Sequence, residues 1–242
     1  MSPACFLTAR ALEQIKNDVC YSDVPATIVG ISAGVSYGAL GSTHHSLHDL
    51  AALRAIPNMT ILAPADNFET RESLRAAARA THPIYVRFGK AAMYDLHPRG
   101  GEFVVGRATT LRDGDDVALV ATGETVIHAL LAATSLTEKG IDARVVSMHT
   151  VKPLDIDTVI RAGRQCWAVV TVEEHSVHGG LGEACAAVLM QAGVTVPMRI
   201  VGIPDHDTVT GSQSDIFRHY GITMEGLAET TLELFEQTRI LA

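Results

Sequence analysis

Three short stretches of this chain bring together side chains able to do chemistry. The first is Gly38-Ala39-Leu40-Gly41-Ser42-Thr43-His44-His45. Its glycines allow the backbone to turn sharply or approach a ligand closely, and its imidazoles can bind hydroxyls or move protons near neutral pH. The same residues also read as a loop with surface histidines. In the second, Val86-Arg87-Phe88-Gly89-Lys90, a permanently charged guanidinium at a strand end can hold a phosphate or carboxylate in two-point contact. An Arg there can equally pair with a nearby acid at the sheet edge. The third, Glu173-Glu174-His175-Ser176-Val177-His178-Gly179-Gly180-Leu181-Gly182, offers carboxylates and imidazoles as metal ligands or acid–base groups, and glycines that open a helix N-terminus to an anion. No second ligand cluster with matching spacing accompanies it. With no P-loop and no His-Glu-x-x-His, hydrolase and nucleotide-triphosphatase readings have no anchor.

The elements that must hold these stretches form two α/β segments. In the first, Phe6–Val19 has helical spacing, Ala26–Ile31 is an apolar run of the buried parallel type, and Leu47–Ile56 is a helix stopped by Pro57. Strands follow at Thr60–Leu62 and Ile84–Phe88, with a helix from Phe68 to Ala80 between them that Asp66 caps. The second segment alternates strands at Asp116–Ala121, Ala143–Ser147, Ala168–Val172 and Pro197–Val201 with helices at Thr125–Lys139, Ile156–Ala162 and Leu181–Ala192, and ends in a helix at Met224–Thr238. Alternation at this interval predicts parallel sheets covered on both faces. The expected division is a first domain over 1–95, a linker over 96–112 containing Pro98, Gly100 and Gly101 with a strand near Phe103–Leu111, and a second domain over 113–242.

The 242 residues carry 19 Lys and Arg against 27 Asp and Glu, a formal charge of −8, and 47% of them are hydrophobic. That is enough apolar material for a folded core. The acidic balance, without a basic run, argues against nucleic acid or an anionic membrane as partner. No apolar stretch approaches the ~20 residues of a membrane helix, and no secretory leader is recognisable, so a cytoplasmic location is expected. Cys5, Cys20, Cys166 and Cys185 have no Cys-x-x-Cys spacing and read as small buried residues.

Tyr37 to Leu50, followed by Leu53-Arg54-Ala55-Ile56-Pro57-Asn58-Met59-Thr60, Pro64-Ala65-Asp66 and Tyr85-Val86-Arg87-Phe88-Gly89-Lys90, resembles the pyrimidine-binding domain of transketolases. Val151-Lys152-Pro153-Leu154-Asp155 and Thr171-Val172-Glu173-Glu174-His175 with Gly179-Gly180-Leu181-Gly182 resemble the transketolase C-terminal domain, and the matches run from about residue 6 to the end in family order. The fold this implies is two α/β domains with parallel or mixed sheets, a pyrimidine-binding-like domain lacking its usual N-terminal part and then a C-terminal-like domain.

The resemblance implies thiamine diphosphate chemistry, moving a two-carbon ketol unit from a ketose donor to an aldose or modified-sugar acceptor, with the cofactor as electron sink for the two-carbon carbanion. The diphosphate and Mg2+ belong to a separate module, so the resemblance implies an N-terminal partner subunit that shares the cofactor, and a heterotetramer. By family position, His44 is the catalytic histidine, His45 and Arg87 bind substrate, Phe6 packs on the aminopyrimidine ring, and no residue here holds the metal. Glu173 and His175 become structural or interface groups.

The family's catalytic glutamate lies in a Gly-x-x-Glu segment that residues 1–20 do not reproduce, and Glu13 matches a later helical position. Ala39-Leu40 stands where the family has an acidic pair, and Ser32 near where it has another histidine, so sugars other than ordinary pentose phosphates are expected. Two other carboligase types share this domain pair, a 2-oxo acid dehydrogenase beta subunit and a deoxyxylulose-phosphate synthase. A scaffold that keeps the fold without the chemistry is the reading from a different class.

Overall fold

A computed structural model describes residues 1–97 and 101–241, with the backbone alone for 238–241, so Pro98 and Gly100 of the expected linker lie outside the described residues. The described residues form two five-stranded sheets with helices on both faces. It opens with β1 (Ser2–Pro3), α1 (Ala4–Arg10) and α2 (Leu12–Gln14), which runs into a π-helical stretch at Ile15–Tyr21. β2 (Thr27–Ile31), α3 (Asp49–Arg54), β3 (Thr60–Leu62), α4 (Asn67–Ala77) and β4 (Ile84–Arg87) complete the first segment. The second has β5 (Thr109–Arg112), β6 (Val117–Ala121), α5 (Val126–Thr137), β7 (Ala143–Ser147), β8 (Thr150–Lys152), α6 (Ile156–Gln165), β9 (Ala168–Ser176), α7 (Leu181–Gln191), β10 (Met198–Ile203), α8 (Gln213–His219) and α9 (Met224–Leu241).

The first sheet has the order β1-β2-β4-β3-β8, parallel except for β8 against β3, and the second β10-β9-β6-β7-β5, parallel except for β5 against β7. The continuous apolar run Val117–Ala121 became the central strand β6, buried at every position, as a strand covered on both faces must be. Asp66 caps α4 as its position suggested, its Oδ1 accepting the Glu69 amide N–H at 2.7 Å. The strand expected over Phe103–Leu111 is confined to Thr109–Arg112. Three elements lack a sequence signal strong enough to find: β1, β8 and α8. β8 is the most consequential, because Ile61 pairs with Lys152 and Leu62 with Thr150, so a strand from the second segment closes the first sheet.

Both sheets end near one loop. The chain leaves β2 at Ile31 and enters α3 at Asp49, and the Ser46 N–H donates to the Gly34 carbonyl at 2.7 Å. Residues 34–46 thus form a loop closed at its base, presented at the carboxyl end of a parallel sheet, where α/β folds place ligands.

Candidate active site

The closed loop gathers an aromatic cluster around His44. The Phe6 ring of α1 stands 5.2 Å from the His44 ring and the Tyr37 ring 5.9 Å from it, both edge to face. Arg10 lies over Phe6 at 4.7 Å and Lys90 over Tyr37 at 4.8 Å, so the two rings are flanked by cations on apolar faces, a favourable arrangement for the ring quadrupoles. Thr43 Oγ1 is 3.0 Å from His44 Nδ1, and among the described residues no group hydrogen-bonds His44 Nε2. His44 is half-buried. A ring nitrogen held on one side and free on the other is what binding a hydroxyl or moving a proton requires.

His45, next in sequence, is placed differently. It is 4% exposed, Nδ1 lies 2.6 Å from Thr208 Oγ1, and Nε2 lies 3.3 Å from the Gly38 carbonyl oxygen. Both ring nitrogens are engaged inside the protein, which corrects the expectation that His45 offers one to substrate. Burial pushes its imidazole below the usual range, so it is neutral near pH 7.

Arg87, expected to grip an anion, takes the other course open to it in the sequence. It is 6% exposed. Its Nε donates to Asp49 Oδ2 at 2.8 Å, and its terminal nitrogen donates to the Glu174 carbonyl at 2.8 Å and the Ser46 carbonyl at 3.3 Å. Tyr85 donates its hydroxyl to the same Asp49 oxygen at 2.7 Å. Burial would raise the Asp49 carboxyl, but the adjoining guanidinium holds it below the ordinary carboxylate range. Arg87 therefore has its charge matched internally and acts as a strut under the His44 loop.

The third stretch supports the same loop from the second sheet. Val35 donates its N–H to Glu174 Oε1 at 2.8 Å, Ser176 donates its N–H to the Leu47 carbonyl at 3.1 Å, and Ala51 donates its N–H to His175 Nε2 at 3.4 Å. His175 Nδ1 donates to the Ser176 carbonyl at 2.8 Å, and burial pushes this imidazole down to about 4. Glu173 accepts the Leu181 and Gly182 amides at 2.7 and 2.8 Å, at the start of α7. Burial still pushes its carboxyl up to about 7. These residues hold backbone, and among the described residues no group of three or more His, Cys, Asp or Glu has the arrangement of a metal site.

Glu13, on α2, is exposed and accepts from Asn17 and Gln14. Gly30-Ile31-Ser32-Ala33-Gly34 has the Gly-x-Ser-x-Gly spacing of a hydrolase elbow, which corrects the reading that gave no weight to a hydrolase pattern. Ser32 follows β2 with φ of 53° and is 3% exposed. No described histidine hydrogen-bonds its hydroxyl, so the pairing a serine nucleophile needs is absent there. A cavity of about 1150 Å³ lies between residues 91–94 and helices α5, α8 and α9, and its lining does not include His44.

The pattern of this loop is shared with known proteins. The family model for the transketolase pyrimidine binding domain matches residues 4–94, and that for the transketolase C-terminal domain matches residues 106–227. The chain belongs to the transketolase family. It is 47% identical to an apulose-4-phosphate transketolase subunit of Phocaeicola vulgatus, over 97% of this chain and 75% of that one. It is 38% identical to a 1-deoxy-D-xylulose-5-phosphate synthase of Thermomicrobium roseum, over 96% of this chain but 38% of the relative. Among solved structures, one described as a split gene transketolase, inactive beta4 tetramer, superposes with a TM-score of 0.86 at 36% identity, covering 96% of this chain and 74% of that one.

Transketolase membership implies dependence on thiamine diphosphate, and two of the relatives it is similar to are described as a transketolase subunit and as a split gene transketolase. Sequence reasoning had no means to find Thr208 or Asp49, whose roles come from contacts 163 and 38 residues away. Asp49 at least stands inside the marked stretch Tyr37 to Leu50, whereas nothing in the sequence marks the neighbourhood of Thr208.

Proposed function

We propose that this chain works with a separate N-terminal transketolase subunit to transfer a two-carbon ketol unit from a ketose donor to an aldose or modified-sugar acceptor. The observation that carries the proposal is the placement of Phe6, Tyr37 and His44 in one cluster at the carboxyl end of the first sheet, with His44 Nε2 facing no described partner. The relative named for apulose 4-phosphate supports a sugar phosphate of that kind as substrate.

The half-buried face of Phe6 fits a planar ring. In this reading Phe6 packs the aminopyrimidine of thiamine diphosphate, and the partner holds the diphosphate and Mg2+. When bound, the cofactor supplies an electron sink for the two-carbon unit. His44 then hydrogen-bonds a substrate hydroxyl or transfers a proton at Nε2. Arg87 and Glu174 keep the loop in place, and the aromatic cluster keeps water from the reacting carbon. The working division is a first domain over 1–95, a linker over 96–112 and a second domain over 113–242, with Gly106 of the linker donating its N–H to Thr150 Oγ1 of β8 at 3.1 Å. The assembly is a heterotetramer. No helix among the described residues is long and apolar enough to cross a membrane, in keeping with the cytoplasmic location we propose.

The synthase relative supports a second reading, a carboligase that consumes pyruvate. Two parallel mixtures separate the readings: the chain with its partner, thiamine diphosphate, Mg2+ and an aldose, given a ketose phosphate in one and pyruvate in the other. A product longer than the acceptor by two carbons supports ketol transfer. Carbon dioxide released from pyruvate supports the second reading, and a tight complex without turnover supports a scaffold.

A further inference from the structure

The His44 loop is gripped along its outer side by Thr208–Gln213 of the second segment. The Gly211 N–H donates to the Gly38 carbonyl at 3.4 Å, and a Cβ on Gly38 would lie 2.2 Å from the Gly211 carbonyl oxygen, so the two backbones touch where only glycine fits. Gln213 Nε2 donates to Glu174 Oε1 at 2.8 Å and lies 3.5 Å from Ser36 Oγ. Between these contacts, Thr208 Oγ1 lies 2.6 Å from His45 Nδ1 and 2.9 Å from Ser42 Oγ.

The chemistry of the partners fixes where the protons are. A carbonyl oxygen only accepts, so the His45 nitrogen facing Gly38 carries its hydrogen on Nε2. Nδ1 is then bare and accepts from the Thr208 hydroxyl, whose oxygen accepts in turn from Ser42. The result is a one-way chain, Ser42 to Thr208 to His45 to the Gly38 carbonyl, that holds the imidazole in a single tautomer and a single orientation.

We propose that Thr208 is a positioning residue of this site. Its hydroxyl holds Nδ1 of the ring that the Gly38 carbonyl sets in the Nε2–H form and, through the peptide that His45 shares with His44, sets how His44 is presented to substrate. The proposal rests on the reading that His44 handles substrate. An imidazole free to turn would let the loop shift, and a displacement of about 1 Å in a reacting group costs on the order of 10²-fold in rate.

The test uses Thr208→Val, which keeps the shape and removes the hydroxyl, and Thr208→Ser, which restores it. Long-range 1H–15N spectra of the full chain alone, with His45 assigned through His45→Gln, read the tautomer without any need for activity. The expected result is His45 in the Nε2–H form in all three proteins, with the Nδ1 resonance alike in the wild type and in Thr208→Ser and displaced in Thr208→Val, where it accepts no hydrogen bond. In the assembled enzyme Thr208→Val should lower kcat about 10-fold or more with KM within about 3-fold, and Thr208→Ser should recover it. A wild-type His45 protonated on Nδ1, or a Thr208→Val enzyme with unchanged Nδ1 resonance and kcat, overturns the proposal. If the lock is present but the assembly turns over no sugar, the transketolase reading fails, and the catalytic consequence assigned to Thr208 fails with it.

Discussion

Glu174 Oε1 accepts the Val35 amide N–H at 2.8 Å, so the loop that carries His44 starts from a hydrogen bond to the second sheet. Gln213 adds a second bond to the same oxygen and reaches Glu124 Oε2 at 2.7 Å. Burial raises both carboxyls above the ordinary range, and for Glu174 the neighbouring Glu124 raises it further. A charge is thus costly at this seam, and the loop is held by hydrogen bonds and close backbone contact.

Gly34 makes that contact possible. It sits at φ +59°, and a Cβ there would lie 2.2 Å from Glu174 Cδ. Gly34→Ala should cost at least ~2 kcal/mol, from the strained backbone and the displaced carboxyl together. Urea unfolding measures it, and a loss under about 0.5 kcal/mol would show that the seam has room to yield.

The Arg87–Asp49 pair is the buried charge beneath the loop, with side chains 5% and 0% exposed. Asp49→Asn leaves the guanidinium without its counter-charge and should destabilise by ~3–5 kcal/mol. Arg87→Lys should also be costly, because an ammonium cannot reach Asp49, Ser46 and Glu174 with the same planar geometry. Chemical denaturation of both variants checks this, and wild-type stability in Asp49→Asn would mean the charge finds water.

His97 ties the chain after the first domain to α4. Its Nδ1 is 2.9 Å from Asp66 Oδ2, and Nε2 is 3.2 Å from Glu69 Oε1, off the hydrogen-bonding direction. Burial works against the charged ring, but the bond to Asp66 and the nearness of Glu69 lift it to about 9. Because the folded state binds this proton more tightly than the unfolded chain does, the contribution is fully present below about pH 6.5 and is lost as pH rises through about 9. Melting temperature should therefore fall over that window. His97→Gln should flatten the fall by roughly 2 kcal/mol at its extremes. Parallel wild-type and variant curves would remove His97 as the source.

His44 has a different profile. Half-buried and bonded only through Thr43 on one nitrogen, it should cost little to replace structurally. His44→Ala should cost no more than about 1–2 kcal/mol, from the lost ring contacts with Phe6 and Tyr37, and lower turnover of the assembled enzyme ~10²-fold or more. Denaturant melts paired with steady-state kinetics make the comparison, and unchanged turnover would remove His44 from the mechanism.

What the sequence disclosed follows the range of the interactions. β6 and the Asp66 cap depend on neighbours within a few residues, and both were legible. The His44 loop was legible from its glycines and paired imidazoles, and the transketolase resemblance rested on those same residues. β8 is three residues long, and its place in the first sheet is set by Ile61 and Leu62, so no local pattern marks it. Whether Arg87 faced a ligand or an acid was undecidable locally, because Asp49 answers it from 38 residues away. His45 looked as available as His44 until Thr208 was brought to its Nδ1 by the second segment.

The central claim is that the His44 cluster is half of a pocket completed by another polypeptide. Calorimetric titration of thiamine diphosphate with Mg2+ into the chain, the N-terminal subunit and their mixture tests it directly. The account predicts uptake near one equivalent per pair in the mixture, at least about 10-fold tighter than in either subunit alone, and weakened by Phe6→Ala. Saturable, equally tight uptake by this chain alone, or none by the mixture, would contradict it.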